Sequence, residues 1–296
     1  RQILIPVDFP DFNLRLAAYA REQGVRVIYF VSPQVWAWRR RRVHNIRKIV
    51  DHMLVLFPFE EPFYREAGVP VTFVGHPVAE RVPVEGGTEL LESILQKAGL
   101  DPGAPTVALV PGSRKSEIAR ILPPMLQAAR LLRRERPELQ FLLSRAPGIE
   151  AGWLENNLPG EELQGLAVHG GDFPELLRGC KAGVVASGTA SLEAAMTGLP
   201  MVVVYRMKLL SYLLGRLLVR VDHVAMPNLV AGSRVLTELV QGDCRSDRIA
   251  HELGRLLDEP ERSAEIRSAL VGIREQLQGR GAYARAARAV LNHWNP

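Results

Sequence analysis

Short apolar runs alternate with amphipathic stretches along most of the chain. The runs Ile3–Val7, Val27–Val31, Met53–Leu56, Val71–Val74, Val107–Val110, Phe141–Leu143, Ala182–Val185 and Met201–Val204 are rich in β-branched residues and read as strands. Between them the 3.6-residue period predicts helices, among them Leu14–Gln23, Phe59–Ala67, Met125–Glu135 and Thr189–Thr197. Strand and helix in regular alternation predict an α/β protein with parallel sheets. The pattern breaks between Gly75 and Pro105, where Gly75-His76-Pro77, Pro83 and Gly86-Gly87 crowd together. That break predicts two α/β domains joined by a hinge. After Gly242 the pattern is helical to Pro296.

Composition adds bounds. With 47% hydrophobic and 23% charged residues the 296-residue chain is globular, which excludes disordered, collagenous and coiled-coil classes. Two cysteines, Cys180 and Cys244, are too few for a disulfide scaffold and read as structural. No apolar run approaches the roughly 20 residues that a spanning helix needs. The seven histidines are scattered without metal-ligand spacing, so no metal or cofactor is expected. The chain opens on Arg1-Gln2 rather than Met, from which an upstream segment is expected.

The formal charge of +5 changes meaning once it is located. Trp36–Lys48 holds six Arg and Lys without an acid, and Arg206–Arg220 holds four more. Together they carry +10, so the remainder sums to −5. Clustered charge of this kind points to an anionic partner.

Four stretches could carry chemistry. Thr106–Val110 runs into Pro111-Gly112-Ser113-Arg114, a strand meeting a small-residue turn and a helix, where amides and an arginine can hold an anion. Ala182–Ala186 runs likewise into Ser187-Gly188-Thr189, with Glu193 one turn further and able to accept from ribose hydroxyls. Neither is a P-loop or a G-x-G-x-x-G turn. An ordinary capped strand–helix turn explains either one alone; two in one domain favour a nucleotide site. Asp8-Phe-Pro-Asp11-Phe-Asn13 follows the first strand, with Asp11 a candidate base and Asn13 readable as a helix cap. Finally, leucine pairs recur every four residues over Lys208–Arg220, with Arg216 and Arg220 on one margin. Leu209, Leu213, Arg216, Leu217 and Arg220 suit a membrane surface, and a core helix explains the leucines equally well.

Taken in order, Asp8-Phe-Pro-Asp-Phe-Asn13, Val31-Ser-Pro-Gln-Val-Trp-Ala-Trp-Arg39, Phe73-Val-Gly-His-Pro77, Leu109-Val-Pro-Gly-Ser-Arg114, Ala186-Ser-Gly-Thr-Ala-Ser-Leu-Glu193, Tyr205-Arg-Met207 and Pro227-Asn-Leu-Val-Ala-Gly232 resemble the lipid-A-disaccharide synthase family. The resemblance implies a GT-B-type fold, two Rossmann-like domains facing a cleft. It assigns residues 1–80 to an acceptor-side domain, 81–105 to a hinge and connecting helix, 106–275 to a UDP-sugar-binding domain, and 276–296 to a helix crossing back. It implies an inverting transfer from UDP-2,3-diacylglucosamine to 2,3-diacylglucosamine 1-phosphate. Ser113, Arg114, Ser187, Gly188, Thr189, Glu193, Tyr205, Met207 and Asn228 would bind UDP-sugar. Asp11 would be the general base, with Asp8 the second choice.

The family further implies a peripheral protein on the cytoplasmic face of the inner membrane, no nucleic acid partner, and a homodimer as one option. Its members begin with a further segment that includes a G-E-x-S-G-D stretch, so the first domain is expected to be truncated. Two rivals stay open: another UDP-sugar transferase or epimerase of the same fold, which would accept a soluble UDP-sugar, and a non-catalytic membrane-binding remnant, which UDP would not stabilise.

Overall fold

The computed structural model describes residues 2–82, 88–157, 164–171, 173–208, 212, 221–277 and 279–294. Packing divides them into two units. One takes residues up to 81 with 274 onward, and the other takes 82–212 and 222–273.

Unit one holds a four-stranded parallel sheet in the order β1-β2-β3-β4, formed by Ile3–Leu4, Arg26–Phe30, His52–Val55 and Val71–Phe73. Its helices are α1 (Pro10–Glu22), α2 (Val35–Trp38), α3 (Val43–Ile49), α4 (Glu60–Glu66) and α5 (Val78–Arg81). One face of the sheet buries Val27, Tyr29, Met53 and Val55 with Ala17, Ala20, Ile46 and Tyr64. The other buries Ile28, Leu54 and Val74 with Ala286 from the C-terminal helix Ala282–Trp294. Strands covered on both faces read as unbroken apolar runs, which is why the sequence announces them.

Unit two opens on α6 (Thr88–Lys97) and holds six parallel strands: β5 (Thr106–Val110), β6 (Gln140–Arg145), β7 (Leu166–Gly170), β8 (Ala182–Ala186), β9 (Met201–Tyr205) and β10 (Thr237–Val240). They lie in the order β10-β9-β8-β5-β6-β7. The chain thus builds outward from β5 in one direction, returns, and builds outward from β8 in the other. In such sheets ligands bind where the direction reverses, outside the carboxyl ends of the two central strands. Here that point lies between β5 and β8.

Helix α7 (Lys115–Glu135) follows β5 and carries Pro123 and Pro124 inside it, and the short helices α8 (Ala151–Glu155) and α9 (Pro174–Leu177) come later in the unit. The periodicity places its start near Met125; the structure starts it ten residues earlier, because the proline pair interrupts two hydrogen bonds without ending the buried stripe of Ile118, Ile121, Leu122, Met125 and Leu126. Two strands escape the apolar pattern, β7 and β10. Both are sheet edges, and their sequences are mixed accordingly, with Val168 45% exposed. No helix among the described residues is long and apolar enough to cross a membrane.

Candidate functional site

In unit two the two predicted turns leave the sheet side by side. Val110 pairs with Val185, so Pro111 and Ala186 step off neighbouring strands at one level. Ala186 pairs in turn with Val204, and Tyr205 with Val240, which extends the row across β9 to β10. Gly112 has a φ of +106° and Gly188 one of +140°, conformations open to glycine. Each opens the N-terminal end of a helix: α7 with Arg114 as N-cap, and Thr189–Thr197 (α10) with Gly188 as N-cap. Backbone donors and helix dipoles from two turns therefore converge on one spot, the arrangement that suits an anion.

The side chains around that spot are placed as follows. Ser113, Arg114 and Thr189 are exposed at the turns, and Glu193 lies half-buried on α10. The Ser113 amide donates to the Glu117 carboxylate at 3.3 Å. The Ser187 hydroxyl donates to the Val224 carbonyl at 2.8 Å, tying this turn to the segment before Met226–Ala231 (α11). Burial raises the Tyr205 phenol above its ordinary value; the charge of Glu117 adds to this and that of Arg114 opposes it. Tyr205 Oη approaches Met207 Sδ at 3.9 Å. Met207 is held by Gln241, which accepts its N–H at 3.0 Å and donates to its carbonyl at 3.3 Å.

Asn228 is different from the rest. It is fully buried, its amide donating to the Leu236 carbonyl at 2.9 Å and to Glu238 at 2.8 Å while its oxygen accepts the Leu236 N–H at 2.8 Å. Such a side chain braces the corner of the site from behind. Glu238 completes the brace by accepting the Val224 and Ala225 N–H groups at 3.0 Å each, which fixes the segment leading into α11. The proposed membrane residues Leu209, Leu213, Arg216, Leu217 and Arg220 lie outside the described residues.

In unit one the Asp8–Asn13 segment follows β1. Asp8 and Phe9 have φ of +48° and +45°, unusual for residues with a β-carbon. The turn is held by its own carbonyls: that of Asp8 accepts the Asn13 amide and the Tyr29 hydroxyl, each at 2.7 Å. Asn13 also donates to the Val7 carbonyl. Helix α1 begins at Pro10, so Asn13 lies inside its first turn and its cap reading is corrected: the amide fastens the preceding turn. The Asp11 side chain is 86% exposed and stands 3.7 Å from Arg42. Arg39 lies over the Trp38 ring at 4.0 Å, beside Arg40 and Arg41, which are also exposed.

Behind these residues sits one that the sequence reading passed over. Glu60, 3% exposed, accepts the Leu56 and Phe57 N–H groups at 3.1 and 3.0 Å, the Trp36 indole N–H at 3.1 Å and the Ser32 hydroxyl. It thereby ties the end of β3 to the loop after β2, where Val31 has a φ of +67°. Burial pushes its carboxyl up to about 7, against the opposing pull of its donors. Phe57, Phe59, Trp36 and His76 form a continuous aromatic wall, with ring centroids 4.8–5.3 Å apart. His76 Nδ1 accepts the Val78 N–H, and burial lowers its pKa to about 4, so the ring is neutral. An acid set among the aromatics of Phe57-Pro-Phe-Glu60 was the available signal.

A family model for lipid-A-disaccharide synthetase matches residues 1–292. The lipid-A-disaccharide synthase of Geobacter sulfurreducens is 46% identical over 290 residues, which is 98% of this chain and 74% of that protein. Among solved structures, the UDP complex of Staphylococcus aureus MnaA aligns with a TM-score of 0.64 at 12% identity, over 99% of this chain and 74% of that one. The UDP-GlcNAc 2-epimerase of Neisseria meningitidis bound to UDP-GlcNAc aligns with a TM-score of 0.58 at 12% identity, over 94% and 76%. These likenesses show the GT-B-type fold.

Proposed function

Because this chain belongs to the lipid-A-disaccharide synthetase family, it is a UDP-sugar glycosyltransferase, and we propose that unit two holds its UDP group while unit one supplies the base. The observation that carries this reading is the register at the reversal point: two glycine turns step off β5 and β8 together, each opening a helix N-terminus. Gly112, Ser113, Gly188 and Thr189 then offer backbone donors to the diphosphate, and Arg114 clamps it. Ser187 and Glu193 face the ribose. Tyr205 and Met207 complete the pocket, with Gln241 and Asn228 bracing them.

The donor is UDP-2,3-diacylglucosamine and the acceptor 2,3-diacylglucosamine 1-phosphate. Asp11 takes the proton of the acceptor 6-hydroxyl as its oxygen attacks the anomeric carbon, and Asp8 is the alternative base. The bond to the diphosphate breaks on the opposite side, so configuration inverts and UDP leaves with the electron pair. Amides, two helix dipoles and Arg114 stabilise that growing charge in place.

Acyl-chain substrates require an apolar surface, and the exposed Trp38 beside Arg39, Arg40 and Arg41 supports docking on an anionic leaflet at the cytoplasmic face of the inner membrane. A homodimer fits this picture as well. The test is a two-substrate assay on the protein, read as disaccharide and UDP by thin-layer chromatography; no product from both lipid substrates would sink the reading. Arg114→Ala is expected to weaken UDP binding about 10- to 100-fold, the range for a charge-assisted hydrogen bond pair.

A further inference from the structure

Glu117 stands at the third position of α7, where a carboxylate ordinarily reaches back to the N-cap amide. Here it reaches one residue further, to the Ser113 N–H. Its carboxylate also lies so close to Gly112 that a β-carbon there would overlap it. The side chain is therefore folded over the Gly112–Ser113 backbone, in the hollow that the positive φ of Gly112 opens. The charge of the same carboxylate is felt at the Tyr205 phenol. One negative group thus occupies the Ser113 amide and the helix-terminal field that the preceding reading assigns to a diphosphate. Two anions at that range repel.

We propose that Glu117 is an internal anion that competes with UDP for the diphosphate cradle, rotates out when UDP enters and, on returning, favours release of the UDP product. The inference rests on the reading of this cradle as the UDP site. Glu117 is half-buried on the first turn of its helix, so rotation about its own side-chain bonds is sufficient. It acts as a positioning residue that sets how tightly the product is held.

The test is isothermal titration of the whole chain with UDP, inorganic pyrophosphate and uridine, before and after Glu117→Gln, with Glu117→Ala as a second variant and the thermal midpoint as a fold control. Both variants are expected to bind UDP and pyrophosphate about tenfold more tightly, roughly 1.4 kcal/mol, with uridine unchanged. UDP should become a stronger product inhibitor by a similar factor. UDP affinity that is unchanged or weaker in both variants overturns the inference alone. So does an equal change for uridine, which would make Glu117 a ligand of the nucleoside. A wild-type chain that binds no UDP overturns the site reading, and the inference with it.

Discussion

The two units bend their chains at the carboxyl ends of their strands in different ways. Unit two uses glycine, with Gly112 and Gly188 at positive φ where the turns meet α7 and α10. Unit one uses a glycine after β4, Gly75, but after β1 and β2 it reaches positive φ with Asp8, Phe9 and Val31, residues whose β-carbons resist it. Among the described residues the one other non-glycine of this kind, Gln241, also follows a strand end, and there its side chain holds Met207. On the proposed reading the difference follows from what each edge would present. A diphosphate is bound by backbone N–H groups, and a missing side chain lets it come close. A hydroxyl is activated by a side chain, so the turn that carries Asp8 and Asp11 keeps its side chains and tolerates strain of about 1–3 kcal/mol per residue.

Three experiments probe that contrast. The largest effect is expected at the side-chain edge: Asp11→Asn should lower turnover by roughly 10²- to 10⁴-fold and leave the Kd for UDP unchanged, measured by initial rates and titration. Near-normal turnover would end the base assignment and move it to Asp8. Next comes the support of Val31. The folded-state pKa of Glu60 lies near 7, above its ordinary 4.5, so the folded state binds that proton more tightly than the unfolded one. The stability it contributes is complete below about 4.5 and is lost as pH rises through about 7. Relative to Glu60→Gln, the wild type should lose at most roughly 3 kcal/mol across that window, read from urea midpoints. Parallel curves for the two would show that Glu60 does not titrate there.

The smallest effect has the sharpest sign. Gly188→Ala meets open space, so its strain is conformational alone; it should cost about 1–3 kcal/mol and weaken UDP binding. Phe9→Gly, at an exposed ring, should instead stabilise by about 0.5–1 kcal/mol. Equal signs for the two in thermal melts would erase the contrast.

Much of this was legible in the residues. Strands buried on both faces declare themselves as apolar runs, and Gly112-Ser113-Arg114 and Ser187-Gly188-Thr189 follow two of them directly. Edge strands β7 and β10 were not legible, because one open edge tolerates polar residues, and with β10 went Glu238. Glu117 and Gln241 carry no local signature, and Glu60 has only its aromatic neighbours. The partners of Glu60 include Ser32, 28 residues away, and those of Gln241 lie 34 residues away, so only the folded chain shows them as anchors. The sequence offers Asn228 as a UDP-sugar ligand; its place behind the surface follows from Leu236 and Glu238, which arrive later in the chain.

The proline pair in α7 has a consequence for how ligation is felt. Pro123 and Pro124 cannot donate to the carbonyls of Ala119 and Arg120, so the hydrogen-bond ladder is cut between the second and third turns. Residues 115–122, too few to be helical alone, depend on the burial of Ile118, Ile121 and Leu122. Together with Gly112-Ser113-Arg114 they should open as a block of their own in hydrogen exchange, ahead of residues 125–135. Amide protons ahead of the prolines therefore report the state of the ligand turn, and those behind them report the global unfolding of unit two.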